Sequence, residues 1–139
     1  MKDALNTLER VKKFEIDEQR RVLMQKLARE EELQKTLKNL IEEYEREKEF
    51  VSQNPTLCDF GAYTDQYVKK RRALEKSIAE VQDEIENIRD IMADMFKEQK
   101  TFEIVTQNRK NKKNKELAEQ EQKLLDEVGT NTYIKKHQQ

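Results

Sequence analysis

A seven-residue apolar repeat runs through the second half of the chain. Every seventh position from 60 to 102 carries a large apolar side chain, namely Phe60, Tyr67, Leu74, Val81, Ile88, Met95 and Phe102. A companion row holds Arg71, Ile78, Ile85, Met92 and Gln99. A heptad repeat of this length predicts one continuous helix with a seam that packs against another helix.

The first half carries a similar repeat with a fault in the middle. One row reads Ile16, Leu23, Glu30, Leu37, Tyr44 and Val51, and its companion reads Arg20, Leu27, Gln34, Ile41 and Lys48. Because Glu30 and Gln34 place polar groups in the seam, we expect a loosely packed or hydrated patch there. The first helix is predicted over about residues 3–52, with Asp3 or Asn6 as its N-terminal cap.

The two repeats are separated by residues 52–61, which hold the only proline, Pro55, and one of two glycines. Proline removes a backbone donor and disfavours helix at the residue before it. We therefore predict a turn over 53–60, with Asp59 as the cap of a second helix over about 61–127. That helix should end before Gly129, which leaves residues 128–139 as a flexible tail.

A short connection makes neighbouring helices antiparallel. The predicted fold class is therefore all-α, a single coiled-coil domain of residues 1–139 that forms a two-helix antiparallel hairpin with unequal arms. In this register Tyr44 faces Tyr67, Leu37 faces Leu74, Leu23 faces Ile88 and Ile16 faces Met95. The predicted seam comprises Ile16, Leu23, Leu27, Leu37, Ile41, Tyr67, Leu74, Ile78, Val81, Ile85, Ile88, Met92, Met95 and Phe102.

Charged residues beside the seam test this register. The basic residues 69–72 would lie across from the acidic positions Glu42, Glu43, Glu45 and Glu47, and Arg20 and Arg21 would lie near Asp90 and Asp94. Complementary flanks favour the antiparallel orientation. The acidic residues 30–32, however, would face Asp83 and Glu84.

The composition agrees with a long helix and excludes several classes of protein. Two glycines, one proline and 35% hydrophobic residues are typical of a coiled coil, whose apolar residues fill a thin seam and enclose no active site. The formal net charge is −1, which does not indicate a nucleic-acid binder. The opening sequence lacks the apolar region of a signal peptide, and no run approaches the roughly 20 apolar residues of a membrane span, so we expect no direct membrane insertion.

No group of residues suggests catalysis or a cofactor. His137 is the only histidine and Cys58 the only cysteine, so neither Ser/His nor Cys/His catalysis nor a zinc site is expected. There is no Gly-rich phosphate loop. A lone cysteine fits a reducing cytosolic location. The sequence predicts a protein that is not an enzyme and has no cofactor.

The second helix outruns the first beyond about residue 108. Residues 109–115 then carry five positive charges, and Leu117, Leu124 and Val128 resume a weaker apolar stripe. The basic run is open to three interpretations: a solvated helix face, a contact to an acidic protein surface, or a weak nucleic-acid or lipid contact. The stripe indicates either an external partner or fraying.

Several segments resemble the FliJ family of flagellar type III export proteins. At the start of the chain these are residues 4–8 (ALNTL), followed by Asp17, Arg21 and Leu23. In the second helix they are residues 59–63 (DFGAY), 71–78 (RRALEKSI), 96–100 (FKEQK) and 102–103 (FE). Their order, the chain length and the loop position agree over nearly the whole sequence.

This resemblance implies a small antiparallel hairpin in the bacterial cytoplasm, peripheral to the inner membrane at the flagellar base. Members resemble the central stalk of rotary ATPases. The end that carries both termini enters the ring of the export ATPase, FliI, and promotes its assembly and activity. The hairpin also contacts the export gate protein FlhA and handles export chaperones.

The resemblance also implies two groups of contact residues. The ATPase-ring candidates are Leu5, Leu8, Val11 and Asp17, with Phe102 nearby, and the export-gate candidates are Leu40 and Leu74, with Tyr44 nearby. Glu43, Glu47 and Lys70 stand where aromatic residues are expected, with Tyr44 and Tyr67 as candidate substitutes. Leu40 and Leu74 are alternatively seam residues alone.

The leading hypothesis is a monomeric, non-enzymatic stalk component of flagellar export that binds no nucleic acid. The equivalent stalk of a virulence type III secretion system is one alternative. A homodimeric coiled-coil spacer or scaffold is another, and a nucleic-acid accessory protein acting through residues 109–115 is a third.

Overall fold

The chain forms two long α-helices in this computed structural model, which describes residues 2–54 and 59–138. Helix α1 spans Lys2–Gln53 and helix α2 spans Phe60–Gln138, with 52 and 79 residues. No strand occurs within the described ranges. The predicted all-α class is confirmed, while Pro55 and Cys58 of the predicted turn lie outside the described residues.

The chain divides into two compact units. One, here called the hairpin unit, is Lys13–Phe96, and the other, the terminal unit, is Met1–Lys12 together with Lys97–Gln139. Each unit contains residues of both helices. The single coiled-coil domain expected from the sequence stays a prediction.

In the hairpin unit, α1 and α2 run antiparallel. Lys26 Nζ lies 2.6 Å from Glu84 Oε2, and Gln82 Nε2 donates to Glu30 Oε1 at 3.2 Å. Further along α1, the Tyr44 ring stacks on Tyr67 with centroids 3.8 Å apart. Because residue numbers rise along one helix as they fall along the other, the fold is a helical hairpin, and the predicted Tyr44–Tyr67 pairing is confirmed.

The core of the hairpin unit contains most of the predicted seam together with Leu33, which the predicted seam did not include. Leu33, Ile78, Val81 and Ile85 form one buried cluster, and the half-buried leucines packed against it are Leu23, Leu27, Leu37 and Leu74. This agrees with the expected meeting of Leu37 and Leu74. The remaining buried side chains are Ile16, Tyr67, Ile88 and Met92, and Ile41 and Met95 are half-buried.

The predicted fault in the first helix is absent from the structure. Leu33 is only 5% exposed and fills the seam, whereas Gln34 points to solvent. An α-helix has 3.6 residues per turn, so the buried face drifts from a strict heptad row and brings Leu33 inward. Glu30 stays at the margin, half-buried, and accepts a hydrogen bond from Gln82. The placement of Gln34 in the seam was therefore wrong, while the expected hydration beside Glu30 stays a prediction.

Of the charged residues predicted to lie across from the other helix, Arg20, Arg21 and Arg71 form salt bridges within their own helix. Arg20 pairs with Asp17 at 3.4 Å, Arg21 pairs with Glu18 at 2.6 Å, and both partners lie in α1 rather than at Asp90 and Asp94. A partner three or four residues away on the same helix is within easy reach of a long side chain, which explains this choice.

The basic residues 69–72 also form no salt bridge with the described residues of α1. Arg71 pairs with Glu75 at 3.0 Å in its own helix, and Lys69, Lys70 and Arg72 form no salt bridge with the part of the chain that the structure describes. The opposition expected between residues 30–32 and Glu84 is relieved because Glu84 pairs with Lys26.

The helix ends follow local capping chemistry in part. Asp59 Oδ1 accepts a hydrogen bond from the Ala62 amide at 3.4 Å, so the predicted cap of α2 is confirmed. At the end of α1, the Asn54 amide donates to the carbonyl of Phe50 at 3.1 Å. Helix α1 begins at Lys2, so the candidate cap Asn6 lies inside the helix.

The predicted end of α2 near residue 127, with a flexible tail over 128–139, was wrong. The helix continues to Gln138, and Gly129 does not adopt the positive φ that would close a helix. A single glycine inside a helix costs about 1 kcal/mol and does not by itself end it. Lys135, Lys136 and His137 in the last turn complement the helix dipole.

The terminal unit also contains an antiparallel pairing of its two chain segments. Thr106 Oγ1 donates to Glu9 Oε1 at 2.7 Å, and Lys12 forms a salt bridge with Glu98. Phe102 is half-buried on the same face of α2, whereas every side chain from 107 to 137 is exposed. Across the described chain, neither helix is long and apolar enough to cross a membrane.

Candidate functional site

Four aromatic rings from the two helices gather in the hairpin unit, near the connection between the helices. Tyr44 of α1 stacks on Tyr67, and its ring centroid lies 5.6 Å from that of Phe60 and 6.0 Å from that of Tyr63. The Tyr44 and Thr64 hydroxyl oxygens are 3.3 Å apart. These contacts hold the rings in nearly parallel planes, so the group forms a rigid aromatic surface.

Charged side chains border this aromatic group on both helices. Arg71 Nη1 donates to the Tyr67 hydroxyl and Arg71 Nε donates to Glu75 Oε1, each at 3.0 Å. These hydrogen bonds to Glu75 and Tyr67 raise the pKa of Arg71. Partial burial, followed by the negative charges of Glu43 and Glu47, raises the pKa of the Tyr63 hydroxyl. The Tyr63 phenol therefore stays neutral to higher pH than usual.

The predicted export-gate residues lie beside this aromatic group. Leu40, Tyr44 and Leu74 are all half-buried. Leu74 packs against the buried cluster, and Leu40 lines a shallow groove whose other residues are Glu43, Tyr63, Gln66, Tyr67 and Lys70. Leu40 and Tyr44 are thus partly accessible, whereas Leu74 packs in the seam.

Four of the predicted ATPase-ring residues lie in the terminal unit. Leu5 and Phe102 are half-buried, whereas Leu8 and Val11 are 50% and 48% exposed. Leu8 and Val11 are three residues apart and therefore share one face of α1. Solvent-exposed apolar side chains on one helix face are suited to contact with a partner.

Asp17, the fifth predicted ring residue, lies in the hairpin unit. Its carboxylate is exposed and accepts a hydrogen bond from Arg20 Nη1 at 3.4 Å. Arg20 also lies over the Phe96 ring, 5.6 Å from its centroid. Asp17 therefore has a structural partner within α1, and it belongs to a different unit from the other four candidates.

Sequence analysis missed two accessible groups. Tyr63 belongs to neither heptad row, yet it lines the groove with Glu43, and its position four residues before Tyr67 is the signal that could have found it. Ile104 and Val105 on α2 are 50% and 36% exposed in the terminal unit. They lie outside the seam rows, and only exposure singles them out.

No metal-binding group emerges from the described side chains. No cluster of three or more His, Cys, Asp or Glu residues with a suitable arrangement occurs among them. The His137 ring packs on Tyr133 in the last turns of α2, with centroids 4.1 Å apart.

These features define a coiled-coil hairpin protein whose candidate sites are surfaces along its helices. The family model described as the flagellar FliJ protein matches residues 1–138, and the chain therefore belongs to the FliJ family. The family is a non-enzymatic component of flagellar protein export. Neither a curated protein nor a solved structure gives a significant match to the chain.

Proposed function

We propose that this chain is a stalk-like component of flagellar type III export that binds the ring of a FliI-like export ATPase and promotes its assembly and activity. It links that ring to an FlhA-like export gate and receives export chaperones. It acts as a monomer without a cofactor, in the cytoplasm, at the inner-membrane face of the flagellar base.

The exposed pair Leu8 and Val11 is the observation that carries the ATPase contact. Each is about half exposed, whereas the seam residues Ile16 and Leu33 of the same helix are buried. Because each is already about half buried, burying the pair against a partner contributes about 1.5–3 kcal/mol in total. Leu5 and Phe102, being half-buried, support the local helix pairing and contribute a smaller accessible area.

A stalk without catalytic groups changes ATP hydrolysis through differential contact. If the exposed apolar pair binds one ring conformation better than another, the population of that conformation rises. Truncation of both side chains would remove most of this bias. The proposed activity therefore depends on surface side chains and requires no change in the hairpin core.

The gate contact is supported by the aromatic surface in the hairpin unit. Leu40 and Tyr44 are partly accessible there, and the stacked rings keep them in a fixed position. Tyrosine and other aromatic residues are enriched in protein interfaces because they bury a large area with few rotatable bonds. Leu74 contributes by holding the seam beneath this surface.

ATP hydrolysis by the cognate export ATPase tests the first contact. Adding the purified chain should raise the rate, and the double substitution Leu8→Ala with Val11→Ala should remove most of that increase. Met24→Ala is the matched control, because Met24 is an apolar side chain of α1 that is 66% exposed and belongs to no predicted contact. No change in rate or ring formation across a concentration series would contradict the proposal.

Binding to the cytoplasmic part of the gate protein tests the second contact. Leu40→Ala should weaken binding about tenfold, because it removes most of an apolar side chain from the proposed interface. Leu27→Ala is the control, since Leu27 is also a half-buried leucine of α1 but lies away from the aromatic rings. Equal weakening in both variants would show that the effect comes from poorer helix packing.

The mass in solution separates the stalk from a coiled-coil spacer. We expect a monomer at all accessible concentrations. A dimer that survives dilution would support a scaffold and would contradict the proposal.

A further inference from the structure

The shallow groove of the hairpin unit combines an apolar lining with exposed polar side chains. Its apolar part is formed by Tyr67, which is buried, and by Leu40 and Tyr63, which are half-buried. The exposed residues that line it are Glu43, Gln66 and Lys70. The groove therefore offers a partner both an apolar contact and accessible charges.

The two edges of the groove carry opposite charges. On α1, residues 42–49 hold five acidic and two basic residues, a net charge of −3, and Glu43 of this segment lines the groove. On α2, residues 69–72 are all basic, and Lys70 of this segment lines the groove. The groove thus has an acidic edge on α1 and a basic edge on α2.

The charges at the two edges do not neutralise each other. Neither Glu43 nor Lys70 forms a salt bridge within the ranges that the structure describes. Burial raises the pKa of Tyr63, and the charges of Glu43 and Glu47 raise it further, so the acidic edge acts on the groove itself. Charges of this kind at the border of a docking surface are available to complement charges of another protein.

The groove has room for a short segment of a partner. Tyr63 and Lys70 are seven residues apart on α2, which corresponds to about 10 Å along the helix. That length fits roughly two turns of a partner helix or about three residues of an extended segment. A segment of this size places an apolar side chain and its charged neighbours in the groove together.

We propose that this groove orients the gate protein by taking one of its apolar side chains between a basic side chain, which lies against Glu43, and an acidic side chain, which lies against Lys70. This inference rests on the gate contact proposed above. Opposite charges at the two edges admit the segment in one orientation, because the reverse orientation would bring like charges together. A second copy of this chain leaves the groove unfilled, since a two-fold contact would set one concave surface against another.

A charge swap tests the orientation without changing the net charge. The double variant Glu43→Lys with Lys70→Glu keeps the composition of the native chain and reverses the two edges of the groove. Binding of the full chain to the purified cytoplasmic part of the cognate gate protein is measured by isothermal titration calorimetry at low and at high salt. The swap should weaken binding at least about twentyfold at low salt, and the loss should shrink as salt screens the charges.

The single variants show with which groups the two charges interact. Glu43→Lys and Lys70→Glu should each weaken binding about fivefold, because each places like charges together at the interface. The two losses should multiply in the swap, since each residue pairs with a different group of the partner. If Glu43 and Lys70 acted mainly on each other, the swap would instead restore the affinity.

Glu45 and Lys69 supply a matched control swap. Both are exposed members of the same two charged segments, and neither lines the groove. The double variant Glu45→Lys with Lys69→Glu should leave the affinity within about twofold of the native value. Circular dichroism should show equal helix content in the two swaps.

An unchanged affinity in the groove swap, a swap that restores the losses of the single variants, or equal weakening in both swaps would overturn the inference. If the native chain binds the gate and Leu40→Ala weakens that binding, such a result leaves the proposed gate contact standing. A native chain that does not bind the gate contradicts both. A dimer of the chain that Glu43→Lys dissociates would also overturn the inference, because a second copy would then occupy the groove.

Discussion

The hairpin unit and residues 107–137 of α2 are both helical, yet their side chains lie in opposite environments. In the hairpin unit Leu33 is 5% exposed, whereas Leu124 in the terminal segment is 62% exposed. Helix in the first region is supported by the burial of an apolar seam. In the second it rests on local propensity and on bonds within the helix, such as Gln122 Nε2 to Asp126 Oδ1 at 3.1 Å.

This difference shows that one continuous helix can have two sources of stability along its length. A packed seam makes the hairpin unit cooperative, because each buried residue supports several others. A solvated helix lacks such coupling, so it forms and frays turn by turn. The surface of the solvated segment is consequently available to a partner.

Truncating a leucine in each region is the strongest test of this difference. Leu33→Ala should lower the free energy of unfolding by about 2–5 kcal/mol, because it opens a cavity in the buried cluster. Leu124→Ala should change it by less than about 0.5 kcal/mol, since the side chain is already solvated and alanine favours helix. Urea denaturation followed by circular dichroism measures both, and equal decreases would break the comparison.

Gly129→Ala tests the local character of the terminal segment. Nothing lies within 4 Å of a Cβ added at Gly129, so the substitution adds helix propensity without a clash. We expect about 1 kcal/mol of local stabilisation. Amide hydrogen exchange should slow around residue 129 and stay unchanged in the hairpin unit. Slower exchange throughout both regions would show that they unfold together.

The salt bridge between Lys26 and Glu84 tests how much the seam gains from its flanks. Its atoms are 2.6 Å apart and its side chains are 38% and 49% exposed, so a double-mutant cycle should give about 0.2–1 kcal/mol. The pair Arg29 and Glu32, within α1 at 3.3 Å, is the control and should give less than the cross-helix pair. A larger value within α1 would show that local pairs also matter in the packed region.

Titration of Tyr63 is the smallest expected effect. Its pKa lies above the usual 10.0 because of partial burial and the charges of Glu43 and Glu47. Since the folded state holds this proton more tightly, the resulting stability is present below pH 10 and is lost as pH rises through the folded pKa. Glu43→Gln should lower the pKa of Tyr63, observed by NMR of its ring, and Glu45→Gln should not.

Apolar periodicity was sufficient to predict the hairpin. The α2 seam rows, the Tyr44–Tyr67 stack and the Asp59 cap all follow from spacing and capping preferences. The burial of Leu33 escaped this method because a rigid heptad row ignores the drift of a 3.6-residue helix. The end of α2 was predicted too early because Gly129 was treated as a helix terminator.

Charged side chains were the least predictable part of the candidate surfaces. Arg20 has partners on both sides, Asp17 in its own helix and Phe96 in the other, and residue spacing alone does not rank them. The orientation of Tyr63 toward Glu43 and Glu47 likewise depends on how Tyr44 and Tyr67 stack. Such choices are decided by side-chain geometry, at energies of about 1 kcal/mol or less.

The stacked tyrosines make the hairpin unit distinguishable from the terminal unit by circular dichroism. The chain has no tryptophan and four tyrosines, of which Tyr44, Tyr63 and Tyr67 lie in the hairpin unit and Tyr133 lies in the terminal unit. Near-ultraviolet circular dichroism arises mainly from rings held in a fixed, chiral arrangement, and it will therefore report on the hairpin unit. Far-ultraviolet signal counts helical peptide groups in both units, so two wavelengths in one thermal scan resolve the melting of each region without any label.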